Sequence, residues 1–176
     1  MSLTLGFRSG EQAMREKWIG MKVSWDRIEF VHAATAPNKG FTVVEEHTWS
    51  LGTLSRSAEY LIMGKRVAEY AIRHGIARAV LNATEVRPAQ PRRKHFETAE
   101  LRGVVMSGLA ETADVDCVLK SGISRSLFGS RTVRDVLADE EVWSAVNVTT
   151  GYREPMIYLF YKSGKYSEFS SSAKDT

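Results

Sequence analysis

Apolar and polar residues predict three short strands near the start of the chain. Residues 17–24 form an apolar run, the side chains at 28, 30 and 32 alternate with those at 29 and 31, and residues 41–49 begin with a second alternation. This period of two is typical of half-buried antiparallel strands. Turn sequences at 24–27 and 37–40 separate the three stretches. We therefore expect a three-stranded antiparallel meander.

A helical period replaces the alternation after this meander. Ser55 or Ser57 can accept the first backbone hydrogen bonds of a helix, and Gly75 can end it in the left-handed conformation just after His74. The predicted apolar stripe of this helix consists of Tyr60, Leu61, Val67, Tyr70 and Ala71.

The middle of the chain predicts a strand, a basic loop and a second helix. The short apolar run 77–83 lies between two helical segments, which is typical of a central parallel strand. A polar loop with two prolines, 84–94, precedes a helix expected over 95–112. Gly103 and Gly108 of this helix are expected to allow close packing against a neighbouring element.

The last third of the chain carries weaker patterns. A short strand is expected over 115–120 and a loop over 121–130. Thr132 can cap a last helix together with Asp135, as in a capping box. The apolar positions of that helix are Val133, Val136, Leu137 and Trp143. Residues 156–161 are interpreted as a strand or an extended arm that covers an edge of the sheet.

This order of elements predicts the fold class. The sequence β-β-β-α-β-α-β-α favours an α/β domain with a mixed sheet, in which an antiparallel three-strand meander joins two parallel strands flanked by helices. We expect a single domain over 17–162, an N-terminal extension over 1–16 and a flexible tail over 163–176. With 176 residues the chain is long enough to bury a stable hydrophobic core without disulfides or structural metals.

Composition excludes several classes of protein. The chain is 43% hydrophobic and 26% charged, with a net charge of +3, as in ordinary globular proteins. Its single cysteine, Cys117, excludes an intramolecular disulfide and a cysteine-rich zinc site, and its apolar surroundings predict a buried, inert thiol. No apolar run is long enough for a membrane span, and no signal peptide is recognisable. We expect a cytoplasmic protein without a membrane partner.

Common catalytic motifs are missing from the sequence. The four histidines, His32, His47, His74 and His95, lack the spacing of a helical metal site, which gives no support to a histidine-bound metal. No nucleophile elbow and no glycine-rich phosphate loop is present. The expected cofactor is therefore none.

Basic residues follow the two predicted parallel strands. Because the carboxyl ends of parallel strands meet at one edge of a sheet, both groups are expected to lie at the edge where ligands usually bind. Such a surface could neutralise phosphates and bind nucleic acid or another polyanion, although solvated loops are the ordinary alternative. The candidate residues are Arg87, Arg92, Arg93, Lys94, Lys120, Arg125, Arg131 and Arg134.

Three short motifs carry a resemblance to a known family. Gly20-Met21-Lys22 ends the first strand, Ala79-Val80-Leu81-Asn82 ends the fourth, and the run from Glu100 to Val105 lies in the following helix. Together with the element order, these motifs resemble the ribonuclease-H-like superfamily, and most specifically its Holliday-junction-resolvase (RuvC-like) branch. A Rossmann-like or actin-like variant is the alternative for the fold.

The resemblance implies a degenerate active site. The family uses carboxylates at these strand ends to hold two divalent metals that cleave a phosphodiester. On this alignment the matching positions are Lys22 and Asn82. A lysine ammonium cannot ligate Mg²⁺, and asparagine offers one neutral oxygen. We therefore expect a domain that binds a polyanion and lacks nuclease activity.

Two other functions remain open on the sequence. A metal-dependent nuclease with Mg²⁺ or Mn²⁺ could use a shifted acidic set, namely Glu85, Asp135 and Asp139. A structural protein could form homo-oligomers through the aromatic segment 156–161, since contiguous apolar surface often marks an interface.

Overall fold

A computed structural model of the chain describes residues 15–36, 40–83, 92–127, 131–144 and 146–164. Its centre is a five-stranded sheet in the order β3-β2-β1-β4-β5. The strands are β1 Lys17–Val23, β2 Arg27–Thr35, β3 Phe41–Ser50, β4 Ile76–Asn82 and β5 Asp114–Val118. Strands β1 to β3 pair antiparallel, while β4 runs parallel to both β1 and β5. The predicted mixed sheet is confirmed.

Six helices cover the two faces of the sheet in the described part of the chain. They are α1 Arg56–His74, α2 Arg93–Leu109, α3 Lys120–Leu127, α4 Val133–Ala138, α5 Glu140–Trp143 and α6 Arg153–Ser163, with a 3-10 turn at Thr150–Tyr152. Helices α1 and α2 share a core with one face of the sheet, and α6 packs with the shorter helices on the other. None of these helices is long and apolar enough to cross a bilayer.

Helix α1 begins and ends where its sequence predicts. The hydroxyl of Ser55 accepts a hydrogen bond from the backbone of Ala58, and Gly75 adopts the left-handed conformation with φ of +63°. The predicted stripe is wrong at Leu61, which is 61% exposed. Met63 is buried instead, and the close contact of α1 with α2 falls next to it at Gly64.

The segment predicted as a strand or edge arm, 156–161, lies inside helix α6. It is apolar on every side because β1, β2 and β4 cover one side of the helix and the short helices cover the other. Pro155 is tolerated because it lies in the first turn, where backbone N–H groups have no partner within the helix. Met156 to Phe160 are buried, so the exposed aromatic arm is wrong. Homo-oligomerisation stays a prediction, and segment 156–161 no longer supports it.

Three smaller expectations are corrected between β5 and α5. Strand β5 ends at Val118, so Lys120 starts helix α3 where strand and loop were predicted. The last predicted helix is divided in two at Asp139, whose side chain caps α5. Cys117 is exposed and not buried, because it lies on the edge strand β5; its thiol contacts the sulfur of Met106, and partial desolvation raises its pKa.

The three family-like motifs lie on β1, β4 and α2 as expected. Within α2, close packing is confirmed for Gly108, where a Cβ atom would lie 2.7 Å from the carbonyl oxygen of Gly64. It is wrong for Gly103, which faces open space on the outer side of the helix.

Candidate functional site at the carboxyl edge of the sheet

Strands β1 and β4 end side by side, and Asn82 joins their ends. Its side-chain oxygen accepts a hydrogen bond from the backbone N–H of Val23 at 2.7 Å, and its side-chain nitrogen donates to the Val23 carbonyl at 3.1 Å. Both polar groups of the amide are thus bonded to the β1 backbone. Asn82 therefore extends the pairing of two strands, a structural role that uses one lone pair of its side-chain oxygen.

Lys22 lies between two carboxylates at the same edge. Its ammonium is 3.1 Å from Glu29 on β2 and 3.5 Å from Glu154 on α6. Burial alone would lower the pKa of Lys22, but the charges and hydrogen bonds of Glu154 and Glu29 outweigh it and raise the pKa. The side chain is therefore a protonated cation in the position that the family resemblance assigns to a carboxylate.

Glu154 is the acidic residue that the sequence analysis missed. Lys120 approaches its carboxylate at 2.6 Å, and the hydroxyl of Tyr158 donates to it from the next turn of α6. Burial would raise the pKa of Glu154, but these hydrogen bonds and the charges of Lys120 and Lys22 lower it. The sequence does carry a signal for this helix. Glu154-Pro155 is typical of a first helical turn, and Gly164 after the apolar run is typical of a helix end.

A cavity of about 350 Å³ opens at this edge. Its walls include Lys22, Trp25, Asn82, His95, Lys120 and Glu154. The cavity thus brings together the ends of β1 and β4, the first turn of α2, the start of α3 and the first turn of α6. It is the point where a ligand would meet groups from all five elements.

The predicted basic residues of α2 lie beside this cavity. Arg92, Arg93 and Lys94 are exposed at the first turn of the helix, where no acidic side chain is present. Arg93 pairs with Glu97 at 2.7 Å. The Lys94 ammonium lies 4.7 Å from the ring centre of Trp25, an exposed aromatic side chain. Arg87 lies outside the described residues.

The basic residues after β5 are divided between two helices. Lys120 borders the cavity, and Arg125 is exposed on α3. Arg131 pairs with Asp139 at 2.6 Å just before α4, and Arg134 is exposed on α4. The structure therefore places Lys120 on the wall of a cavity that His95, in the first turn of α2, also borders. Polyanion binding by the whole set stays a prediction.

The alternative acidic set is not assembled among the described residues. Asp135 accepts hydrogen bonds from Thr132 in the predicted capping box, and these lower its pKa. Asp139 pairs with Arg131, which lowers its pKa, and caps α5. Neither residue borders the cavity. Glu85 lies outside the described residues, so its role stays a prediction.

One group of possible metal ligands lies elsewhere in the described part of the chain. It consists of His32, Glu45 and His74, on the face covered by α1. Glu29 and Glu154 belong to no such group, because together with Lys22 they offer only two carboxylates.

The sheet order and the helices on its two faces define a ribonuclease-H-like fold of the RuvC type. No family model and no curated protein matches the chain. Among solved structures, the chain is similar to Thermus thermophilus RuvC, with a TM-score of 0.65 and 9% identity over 85% of this chain and 97% of that one.

Two further solved structures share the fold. T. thermophilus RuvC in complex with Holliday junction substrate gives a TM-score of 0.63 at 9% identity, over 85% of this chain and 95% of that one. The yeast mitochondrial Holliday junction resolvase Ydc2 gives a TM-score of 0.56 at 7% identity, over 92% of this chain and 81% of that one. These likenesses confirm the predicted RuvC-like fold, and at such low identity they show the fold alone.

Proposed function

We propose that this protein is a RuvC-like domain that binds nucleic acid at the carboxyl edge of its sheet without cleaving it. The proposal depends above all on the ionic network Lys120–Glu154–Lys22–Glu29. In this network each carboxylate is already neutralised by a lysine. The chemistry expected of the fold needs unpaired carboxylates to hold divalent cations.

The charge of the network argues against metal-dependent cleavage. A divalent cation placed between Glu29 and Glu154 would have to displace the Lys22 ammonium that now bridges them. Asn82 offers only a neutral oxygen, one lone pair of which is already bonded to the β1 backbone. Displacing Lys22 would cost ion pairs that link β1, β2 and α6. These costs support a domain that binds its ligand at the carboxyl edge of the sheet and does not carry out the two-metal reaction.

The first turn of α2 supports a polyanion as the ligand. Exposed Arg92, Arg93 and Lys94 add positive charge to a helix N-terminus, which itself favours anions. Trp25 offers an aromatic face on which an unpaired base can stack. A solved structure of the same fold is that of RuvC in complex with Holliday junction substrate, which makes branched DNA the first ligand to test.

Fluorescence anisotropy with a labelled four-way junction, a duplex and a single strand tests the proposal. We expect binding that weakens steeply with salt, because phosphate contacts release counterions. The double variant Arg92→Ala, Lys94→Ala should weaken binding and reduce the slope of log K against log salt by about 2. The matched control, Lys65→Ala with Arg73→Ala on exposed positions of α1, should behave as the unmodified protein.

The same preparations, incubated with Mg²⁺ or Mn²⁺, should leave the junction uncleaved. Cleavage that is lost in Glu154→Gln would overturn the proposal and assign the carboxyl edge a catalytic role. Cleavage that is lost in Glu85→Gln, Asp135→Asn or Asp139→Asn would establish the nuclease with a shifted acidic set. Equal loss of binding in the α1 control would mean that the affinity reflects overall charge only.

A further inference from the structure

A second cluster of polar residues lies on the face of the sheet that α1 covers. His32 on β2 is paired directly with Glu45 on β3, and His74 is in the last turn of α1. One ligand atom from each of the three lies within 4.8 Å of the other two. The spacing of histidines in the sequence cannot predict this group, because its members come from three different elements.

The hydrogen bonds of His32 determine which of its nitrogens carries the proton. The Tyr70 hydroxyl donates to Oε2 of Glu45 at 2.9 Å and lies 3.1 Å from Nδ1 of His32. Since that hydroxyl proton is directed at Glu45, its oxygen must accept from Nδ1–H. A neutral imidazole has one proton, so Nε2 of His32 carries a free lone pair.

That lone pair has no partner. His32 is 1% exposed, and its Nε2 is buried without a hydrogen bond in the part of the chain that the structure describes. Buried polar atoms are almost always bonded, so an unpaired one suggests a ligand at that position. A metal ion binds such a lone pair, and the Tyr70 hydroxyl bonded to Nδ1 would hold the ring in place, as second-shell groups do.

The other two ligands are also available. Tyr70 and His47 both contact Oε2 of Glu45, which leaves Oε1 without a hydrogen bond among the described contacts. The ring of His74 stacks on Tyr70 with centres 4.1 Å apart. Glu45 and His74 border an open cavity of about 510 Å³, so solvent and ions can reach these two residues, with His32 buried behind them.

We propose that His32, Glu45 and His74 form a binding site for a divalent transition metal, with Zn²⁺ as the best match. Two imidazoles and one carboxylate are a ligand set that zinc uses when it keeps a further coordination position open. Imidazole ligands favour zinc and its neighbours over Mg²⁺. The site lies on the face opposite Lys22, since His32 pairs with Ile19 of the α1 side, and the proposal is independent of nucleic-acid binding.

The test uses the full chain and two metals. Zn²⁺ affinity is measured by competition with a chromophoric chelator, and Co²⁺ is titrated while its visible absorption is recorded. We expect one ion per chain and a Co²⁺ spectrum with imidazole nitrogen ligands. His74→Ala and Glu45→Gln should each weaken Zn²⁺ binding at least about tenfold, and Tyr70→Phe should weaken it less while the Co²⁺ spectrum persists.

Matched controls separate this site from surface binding. Glu69→Gln changes a carboxylate on the wall of the same cavity, and His95→Ala changes the histidine of α2. Both should leave Zn²⁺ affinity unaltered. The absence of binding in the unmodified protein overturns the proposal, as does binding that survives both His74→Ala and Glu45→Gln in variants whose far-UV circular dichroism shows an intact fold.

Discussion

At Gly20 the lack of a side chain allows strand β1 and helix α6 to meet. A Cβ atom there would lie 2.1 Å from the carbonyl oxygen of Pro155, which is closer than atoms can approach. Gly20 is also the first residue of the motif Gly20-Met21-Lys22 that resembles the resolvase family. Two residues on, Lys22 reaches Glu154 on the same helix. The glycine therefore lets α6 approach closely enough to place its carboxylate at the sheet edge.

Gly20→Ala is expected to lower the free energy of unfolding by about 3 kcal/mol, because overpacking here pushes against helix backbone. Gly103→Ala, in open space on α2, should raise it by about 0.5 to 1 kcal/mol through helix propensity. Urea unfolding followed by tryptophan fluorescence measures both. Equal urea midpoints for Gly20→Ala and the unmodified protein would show that α6 does not pack against β1 at Gly20.

Helix α6 is the element that joins the core to the candidate site. Its apolar residues fill the space between the sheet and the short helices, and its first turn carries Glu154 to the edge of the sheet. The sequence predicts a strand or an extended arm here, because periodicity cannot distinguish a short buried strand from a helix that is buried on all sides.

The ion pairs of Glu154 predict an acid-sensitive fold. Because its pKa is lower in the folded state, its contribution to stability is complete above the ordinary glutamate pKa and is lost as the pH falls through the folded value. Glu154→Gln should cost about 2 kcal/mol at pH 7 and reduce the loss of stability below about pH 4. Urea midpoints across pH 3 to 7 measure this, with Glu69→Gln as the exposed control. Parallel pH profiles for Glu154→Gln and the unmodified protein would contradict it.

For the whole molecule, the two faces of the sheet carry different polar groups. The face under α6 presents the ionic network, the face under α1 holds the histidine group, and the carboxyl-edge cavity lies at the end of the sheet between them. The two groups lie on opposite faces because successive residues along a strand alternate between the faces. Each proposed site can therefore be altered without changing the other.

Deletion of residues 152–176 is expected to unfold the domain, because it removes five consecutive buried residues, Met156 to Phe160. A chain that ends at Gly164 keeps all of α6 and should fold. Far-UV circular dichroism and thermal unfolding distinguish the two. A folded, monomeric product of the longer deletion would contradict the buried position of α6 and favour the interface that the sequence had predicted for this segment.

Elements whose signals are local were predictable from the sequence. The meander follows from alternation over a few residues, Gly75 from the end of a helical period, and Thr132 with Asp135 from a capping box. Lys22 and Asn82 were located at the strand ends because the carboxyl edge of a parallel sheet follows from element order. The expectation that these two replace metal-binding carboxylates, and with it the absence of cleavage, stays a prediction.

The sequence by itself therefore determined the fold class and the approximate position of the candidate site, since both depend on short-range periodicity and order. Only the tertiary structure decided that Glu154 joins Lys22 and that His32, Glu45 and His74 meet. These groups come from elements far apart in the chain, and their approach depends on how helices pack on the sheet. Gly20, which allows α6 to approach β1, and Tyr70, which orients His32, follow no hydrophobic period in the sequence. Their effect is therefore visible only once the chain is folded.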